Sequence, residues 1–268
     1  MSTEASRLPE GPAPSDPSQP SDSTGPTQDA PAGRRSLGGH LMAALKEIVI
    51  VVTMALALSF IVKTFLVQAF YIPSGSMETT LIRDDRVIVN KLVPRLIDLK
   101  RGDVVVFQDP DQWLGELPTV DRGPVRGAIH QALTFVGLLP SDSDHLIKRV
   151  IGLPGDRVTC CVAGKLTVNG VPVTEPYVKA GDAPSSLSFD VTVPAEHIWV
   201  MGDHRSNSED SRFHDPSGTG ADGSVPIAKV TGRAISVVWP IDRWAWLSDF
   251  AETFSGVPAP GAIPTSSP

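Results

Sequence analysis

The sequence predicts a mainly β protein, a coiled antiparallel β-barrel or sandwich, carried behind one N-terminal transmembrane helix. Three observations predict it. One apolar run, Ile48 to Phe70, is long enough to cross a bilayer. After it, short alternating or apolar segments recur between Gly, Pro and Asp turns, as in an all-β core. At both ends, Pro-, Ser- and Gly-rich stretches lack the large apolar side chains that offset the entropy of ordering.

In chain order, residues 1–39 read as a disordered cytoplasmic tail and 40–70 as the transmembrane anchor. Twenty-odd helical residues at about 1.5 Å each span roughly 30–35 Å, the thickness of a hydrocarbon core. Lys63 falls late in the run, where its stem can reach a headgroup layer. Val67-Gln68-Ala69 looks like a secretory cleavage site, yet the leader before the run, about 45 residues, is too long for a cleaved signal. Arg34, Arg35 and Lys46 precede the run and favour a cytoplasmic N-terminus. Everything after residue 70 then lies outside the cytoplasm, at the cell membrane.

Residues 71–245 form the folded domain, with a helical insertion at about 109–143, and 246–268 a flexible C-terminal tail. Strands are expected at 85–91, 104–107, 146–152, 158–161, 165–170, 198–201 and 234–239, most of them closed by turns such as Arg101-Gly102-Asp103 and Leu153-Pro154-Gly155-Asp156. Val125–Leu139 carries apolar residues at helical spacing and reads as a covering helix of the core, or else as a helix lying at a membrane surface.

Composition narrows the function. The net charge of −7 and scattered basic residues exclude a nucleic-acid footprint. The only two cysteines, Cys160 and Cys161, are adjacent in a strand. They read as two small apolar residues, with a vicinal disulfide or an intermolecular bridge as alternatives. No metal site can be built from that pair, and no cofactor is expected.

The chemistry concentrates just after the anchor. Tyr71-Ile72-Pro73-Ser74-Gly75-Ser76-Met77 sets two serines in a constrained turn at the mouth of the bilayer. A serine hydroxyl attacks only when a neighbour takes its proton. None of the six histidines stands in a triad setting, and Ser76 lies outside the G-x-S-x-G pattern. The other base is a lysine kept neutral by burial, whose pKa must fall from about 10.4 by roughly 2–3. Lys148, in Leu146-Ile147-Lys148-Arg149-Val150-Ile151, fits. Alternation puts Lys148 and Arg149 on opposite faces, so one cation points inward, or else the strand is an edge with both solvated.

Ser74-Gly75-Ser76-Met77 with Thr80-Leu81, the block 101–107, the block 148–156 and the block 202–212 follow one another in the order found in type I signal peptidases. The chain resembles a Gram-positive or actinobacterial member of that family over roughly residues 46–240. The resemblance implies a membrane-anchored serine endopeptidase that cleaves signal peptides from secretory preproteins, close to the bilayer and the export translocon. It implies Ser76 as nucleophile, Lys148 as general base, and Ser74 Oγ with the Ser76 N–H as oxyanion hole. Ser208 would orient the lysine, Asp210 and Arg212 would brace its loop, and Arg149 would be structural. Ile72, Pro73, Met77, Leu81 and Ile147 would wall pockets for alanine-like side chains. The chain departs from the pattern at Thr79, where proline is usual, and at His204, where asparagine is. A self-cleaving Ser/Lys peptidase of the SOS-repressor kind is the enzymatic rival, disfavoured by the anchor; a non-catalytic single-pass β-domain receptor is the other.

Overall fold

The structure, a computed structural model, describes residues 37–115, 123–135 and 144–260. The chain divides into two units, Met1–Val51 and Val52–Pro268. What is described of the first belongs to helix α1 (Leu37–Ile61), whose apolar side chains from Met42 onward are exposed. The helix is long and apolar enough to cross a membrane. The span suited to a membrane, Met42–Leu66, includes a final π turn at Val62–Leu66 and is the only one among the described residues.

The second unit begins within α1 and continues into strands. The first is β1 (Val67–Tyr71), which pairs with β2 (Arg86–Asn90) from Val67↔Asn90 to Tyr71↔Arg86. Residues 67–70, expected inside the anchor, therefore belong to the sheet. Val67-Gln68-Ala69-Phe70 reads as apolar, but as a strand its backbone groups would have no partner in lipid, and they find one in β2. The other main-sheet strands are β3 (Val104–Gln108), β4 (His145–Gly152), β9 (His197–Met201), β10 (Val225–Pro226), β11 (Val230–Trp239) and β12 (Ala245–Trp246). The order is β1-β2-β11-β3-β4-β9-β10, with β12 on β11, and the pairings are antiparallel.

No described pairing joins β1 to β10, so the expected barrel stays open. The sheet does coil. Phe70 of β1 and His145 of β4 have ring centroids 5.2 Å apart although three strands lie between them in the order. A smaller sheet has the order β7-β6-β5-β8, built from β5 (Arg157–Val162), β6 (Lys165–Val168), β7 (Val171–Pro172) and β8 (Phe189–Thr192). Its core, with Val158, Leu166, Val168 and Trp199, is separate from the cluster of Ile72, Met77, Leu81, Val87 and Val89 beneath the serine turn.

Two other expectations change, for the cysteines and for the C-terminal segment, and the helical insertion is described only in part. Cys160 and Cys161 are joined in a disulfide; the β5–β6 register shifts between Thr159 and Val162, so simple alternation fails there. Helix α2 (Gly123–Phe135) does not cover the core with its described side chains, since Val125 and Ile129 are exposed; 136–143 lie outside the described residues, as do tail residues 1–36. The C-terminal segment is packed as far as Pro258: Phe254 and Val257 are buried in the smaller sheet's core, and Pro258 O accepts from Arg101 and Asn169. Thr253 Oγ1 donating to Thr174 O and the Phe250 ring beside Tyr177 add to the hold on this Pro-rich strap.

Candidate active site

Ser76 sits in the turn after β1, and Lys148 on β4. The turn is closed by Leu81 N–H donating to Met77 O at 2.8 Å and Glu78 N–H to Gly75 O at 3.2 Å. Met77 and Leu81, both fully buried, fasten its inner face to the core. Strand β4 pairs with β3 over His145–Arg149, but with β9 only from Arg149 onward. Lys148 is thus the last residue before β9 takes up its second edge, and the serine turn lies in that gap.

Lys148 Nζ lies 2.7 Å from Ser76 Oγ. The two side chains are buried, at 4% and 8% exposure. Burial lowers the amine to about 8, the Asp210 carboxylate pulling it back up and the Arg212 guanidinium pressing it down. No carboxylate lies in ion-pair range of Lys148 among the described residues, so nothing compels it to stay charged. The edge-strand alternative is excluded, because Arg149 is buried too.

Close approach at the site requires Gly202, just past β9. A Cβ there would meet Ser208 Oγ at 2.2 Å and Ser76 O at 2.5 Å, so any other residue would push the serine turn off the sheet. Beyond it the His204 N–H donates to Ser76 O at 3.1 Å. Ser74 Oγ is 3.4 Å from Ser76 Oγ and faces solvent with Pro73. Among the described residues the Ser76 N–H has no acceptor.

Ser208 donates its proton to Asp210 Oδ2 at 2.7 Å and makes no hydrogen bond to Lys148. Asp210 also accepts from the Gly202 N–H at 2.9 Å and from Arg212 Nε and Nη2, each at 2.8 Å. Burial pushes the Asp210 carboxyl up, but the hydrogen bonds and charge of Arg212 outweigh it and hold the group below its ordinary value. Ile72, 2% exposed, and Ile147, 8% exposed, belong to the same core cluster as Met77 and Leu81. Those last two floor the site rather than line an open cleft, since neither has exposed surface.

Sequence reasoning undervalued Arg149. Its guanidinium pairs with Asp203 through two bonds of 2.9 and 2.7 Å and donates to Gly102 O and to Thr80 Oγ1 in the serine turn. It stacks over Tyr177 at 4.1 Å. The adjacent Lys-Arg doublet was the available signal; its alternation gives one cation a carboxylate and the other a hydroxyl.

A buried amine bonded to a serine hydroxyl, on a β-sheet behind an apolar helix, defines the class as a serine hydrolase of the peptidase kind. The chain belongs to the family described as signal peptidase, peptidase S26, whose model matches residues 45–239. It is 37% identical over 227 residues to the probable signal peptidase I of Mycobacterium leprae, covering 75% of this chain and 78% of that one. Signal peptidase I of Mycobacterium tuberculosis is 37% identical over 220 residues, covering 75% of each. Signal peptidase I P of Bacillus subtilis subsp. natto is 32% identical over 200 residues, covering 72% of this chain and 88% of that one.

Proposed function

We propose that this chain is a membrane-anchored endopeptidase that removes N-terminal signal peptides from exported preproteins after small residues, with Ser76 and Lys148 as its catalytic dyad. The observation that carries the reading is the 2.7 Å contact between a hydroxyl and an amine held near 8 by burial. Neutral Lys148 accepts the Ser76 proton as Oγ forms a bond to the scissile carbonyl carbon. The oxyanion that develops is met by the free Ser76 N–H and the Ser74 hydroxyl. When the C–N bond breaks, the Lys148 ammonium returns its proton to the departing amine, leaving the signal peptide esterified to Ser76. Lys148 then deprotonates a water that attacks the ester, and as the acyl C–O bond breaks the ammonium returns that proton to Ser76 Oγ, restoring the hydroxyl and the neutral amine.

Asp210, Arg212 and Ser208 support the loop that sets Gly202 under Ser76, and Pro73 and Ile147 offer the apolar surface for the small side chains, with Ile72 buried beneath. Ser76→Ala and Lys148→Ala each abolish cleavage of an Ala-x-Ala precursor while the protein stays folded and in the membrane fraction. Turnover retained by either variant refutes the dyad.

The folded domain lies outside the cytoplasm, against the lipid and near the export translocon, with the N-terminus inside. Arg34, Arg35 and Lys46 support that orientation. The aromatic surface beside β1 supports the contact with lipid: Tyr71, Arg86 and Trp239 are cross-strand neighbours, and Trp239, Ile241, Trp244 and Trp246 are exposed. Tryptophan and tyrosine with arginine form the belt expected at a headgroup layer. Protease added outside digests the domain and spares the N-terminal segment until the membrane is opened; the reverse pattern refutes the orientation.

A further inference from the structure

The turn that carries Ser76 is held on its solvent side by a second set of charges. Glu78 folds back over Gly75: a Cβ on Gly75 would lie 2.7 Å from Glu78 Oε1. Its Oε2 accepts from Lys179 Nζ at 2.7 Å and lies 3.5 Å from His204 Nδ1. That nitrogen is also 3.1 Å from Gly75 O, and since a carbonyl only accepts, Nδ1 carries a proton. The Lys179 N–H donates to Asp203 O at 3.0 Å, and Asp182 accepts from Ser206 N and Oγ at 3.0 and 2.8 Å. Three segments are tied here: the serine turn, residues 179–182, and the 202–208 loop that carries Gly202 and Ser208. The remaining charges acting on the group are Arg83, on Glu78, and Asp182, on His204 and Lys179. The Lys179 ammonium holds the Glu78 carboxyl below the usual carboxylate range.

We propose that Glu78, Lys179 and His204 form a positioning cluster that holds the Ser76 hydroxyl in register with Lys148 and thereby sets kcat. The proposal rests on the dyad assigned above. The segment Met77-Glu78-Thr79-Thr80-Leu81 has no proline to stiffen it, and only its inner face is fixed by core packing. A displacement of about 1 Å at a nucleophile costs on the order of 100-fold in rate. A half-exposed ion pair, by contrast, adds little to stability. The cluster should therefore register in kcat and leave thermal unfolding unchanged.

The test uses the full chain in detergent micelles and a synthetic Ala-x-Ala precursor. Glu78→Gln and Lys179→Met each lower kcat by roughly 3–30-fold, with KM within about 2-fold and unfolding temperature unchanged. Lys179→Arg keeps the cation and stays within about 2-fold of the parent. Raising salt to about 1 M lowers the parent's kcat toward that of Glu78→Gln, which itself stays flat. Parental kcat in both Glu78→Gln and Lys179→Met overturns the cluster. So do equal losses in Lys179→Arg and Lys179→Met that track a lowered unfolding temperature. An inactive Ser76→Ala beside parental Glu78→Gln and Lys179→Met overturns the cluster alone, whereas an active Ser76→Ala removes the dyad and the cluster with it.

Discussion

Lys148→Met should make the protein inactive and more stable at neutral pH, and the gain should fade as pH rises. The native amine is lowered from 10.5 to about 8 by burial. Below about pH 8 the ammonium is held in the folded protein at the full desolvation cost. Between about 8 and 10.5 the unfolded chain binds one proton more than the native one, so parental stability rises by about 1.4 kcal/mol per pH unit relative to the variant. Over that window the difference amounts to about 3 kcal/mol. Methionine fills a similar volume without a charge, but it strands the Ser76 hydroxyl, which returns about 1 kcal/mol. The variant is therefore expected about 2 kcal/mol more stable at pH 7, and level with the parent or slightly below it near pH 10.5. Guanidinium unfolding of the full chain in micelles, followed by tryptophan fluorescence at several pH values, measures it. Parallel stability curves from pH 7 to 10.5 would mean that the amine titrates alike in both states, and the argument for a neutral base would fail.

Two further outcomes follow from the same geometry. Ser74→Ala should lower kcat by roughly 10–1000-fold with KM little changed, as for loss of one oxyanion donor; an unchanged rate in steady-state assays removes Ser74 from that role. The Asp210 carboxylate raises the Lys148 pKa, so Asp210→Asn should move the ascending limb of the kcat/KM–pH profile below the parent's position near 8, provided by whatever fraction folds; a limb that stays or moves up contradicts the assignment.

The strands that carry the site were legible because each has both an alternating or apolar pattern and a turn beside it: 104–107 and 146–152 lie within one residue of β3 and β4. Strand β1 was hidden because its residues continue the anchor's apolar composition, and a pairing partner some twenty residues away leaves no local trace. β7, β10 and β12 are two residues each, too short for any period. The packed C-terminal strap was masked by proline and glycine, although Phe254 and Val257 were visible as apolar exceptions. The proximity of Ser76 and Lys148, 2.7 Å apart, was expected from motif order, yet the partner of Ser208 was not, since a hydroxyl two residues from a carboxylate is claimed locally before it can reach a distant amine. Glu78 and Lys179, 101 positions apart, carried no signal at all.

The Lys148–Arg149 doublet shows why the site uses lysine. Both side chains are buried on one strand, and what separates them is what each face offers. Arg149 meets the Asp203 carboxylate through two hydrogen bonds, so its charge is matched and keeps the serine turn and the 202–208 loop in place through Thr80 and Gly102. Among the described residues Lys148 hydrogen-bonds only the Ser76 hydroxyl. A guanidinium could not shed its proton there, and its fork would need acceptors that the face lacks. An ammonium can release its proton, and doing so relieves the desolvation cost while creating a base. The same burial that penalises the charged lysine supplies the neutral amine that the proposed mechanism requires, so any change that admits water to Lys148 should cost activity even where it relieves strain in the fold.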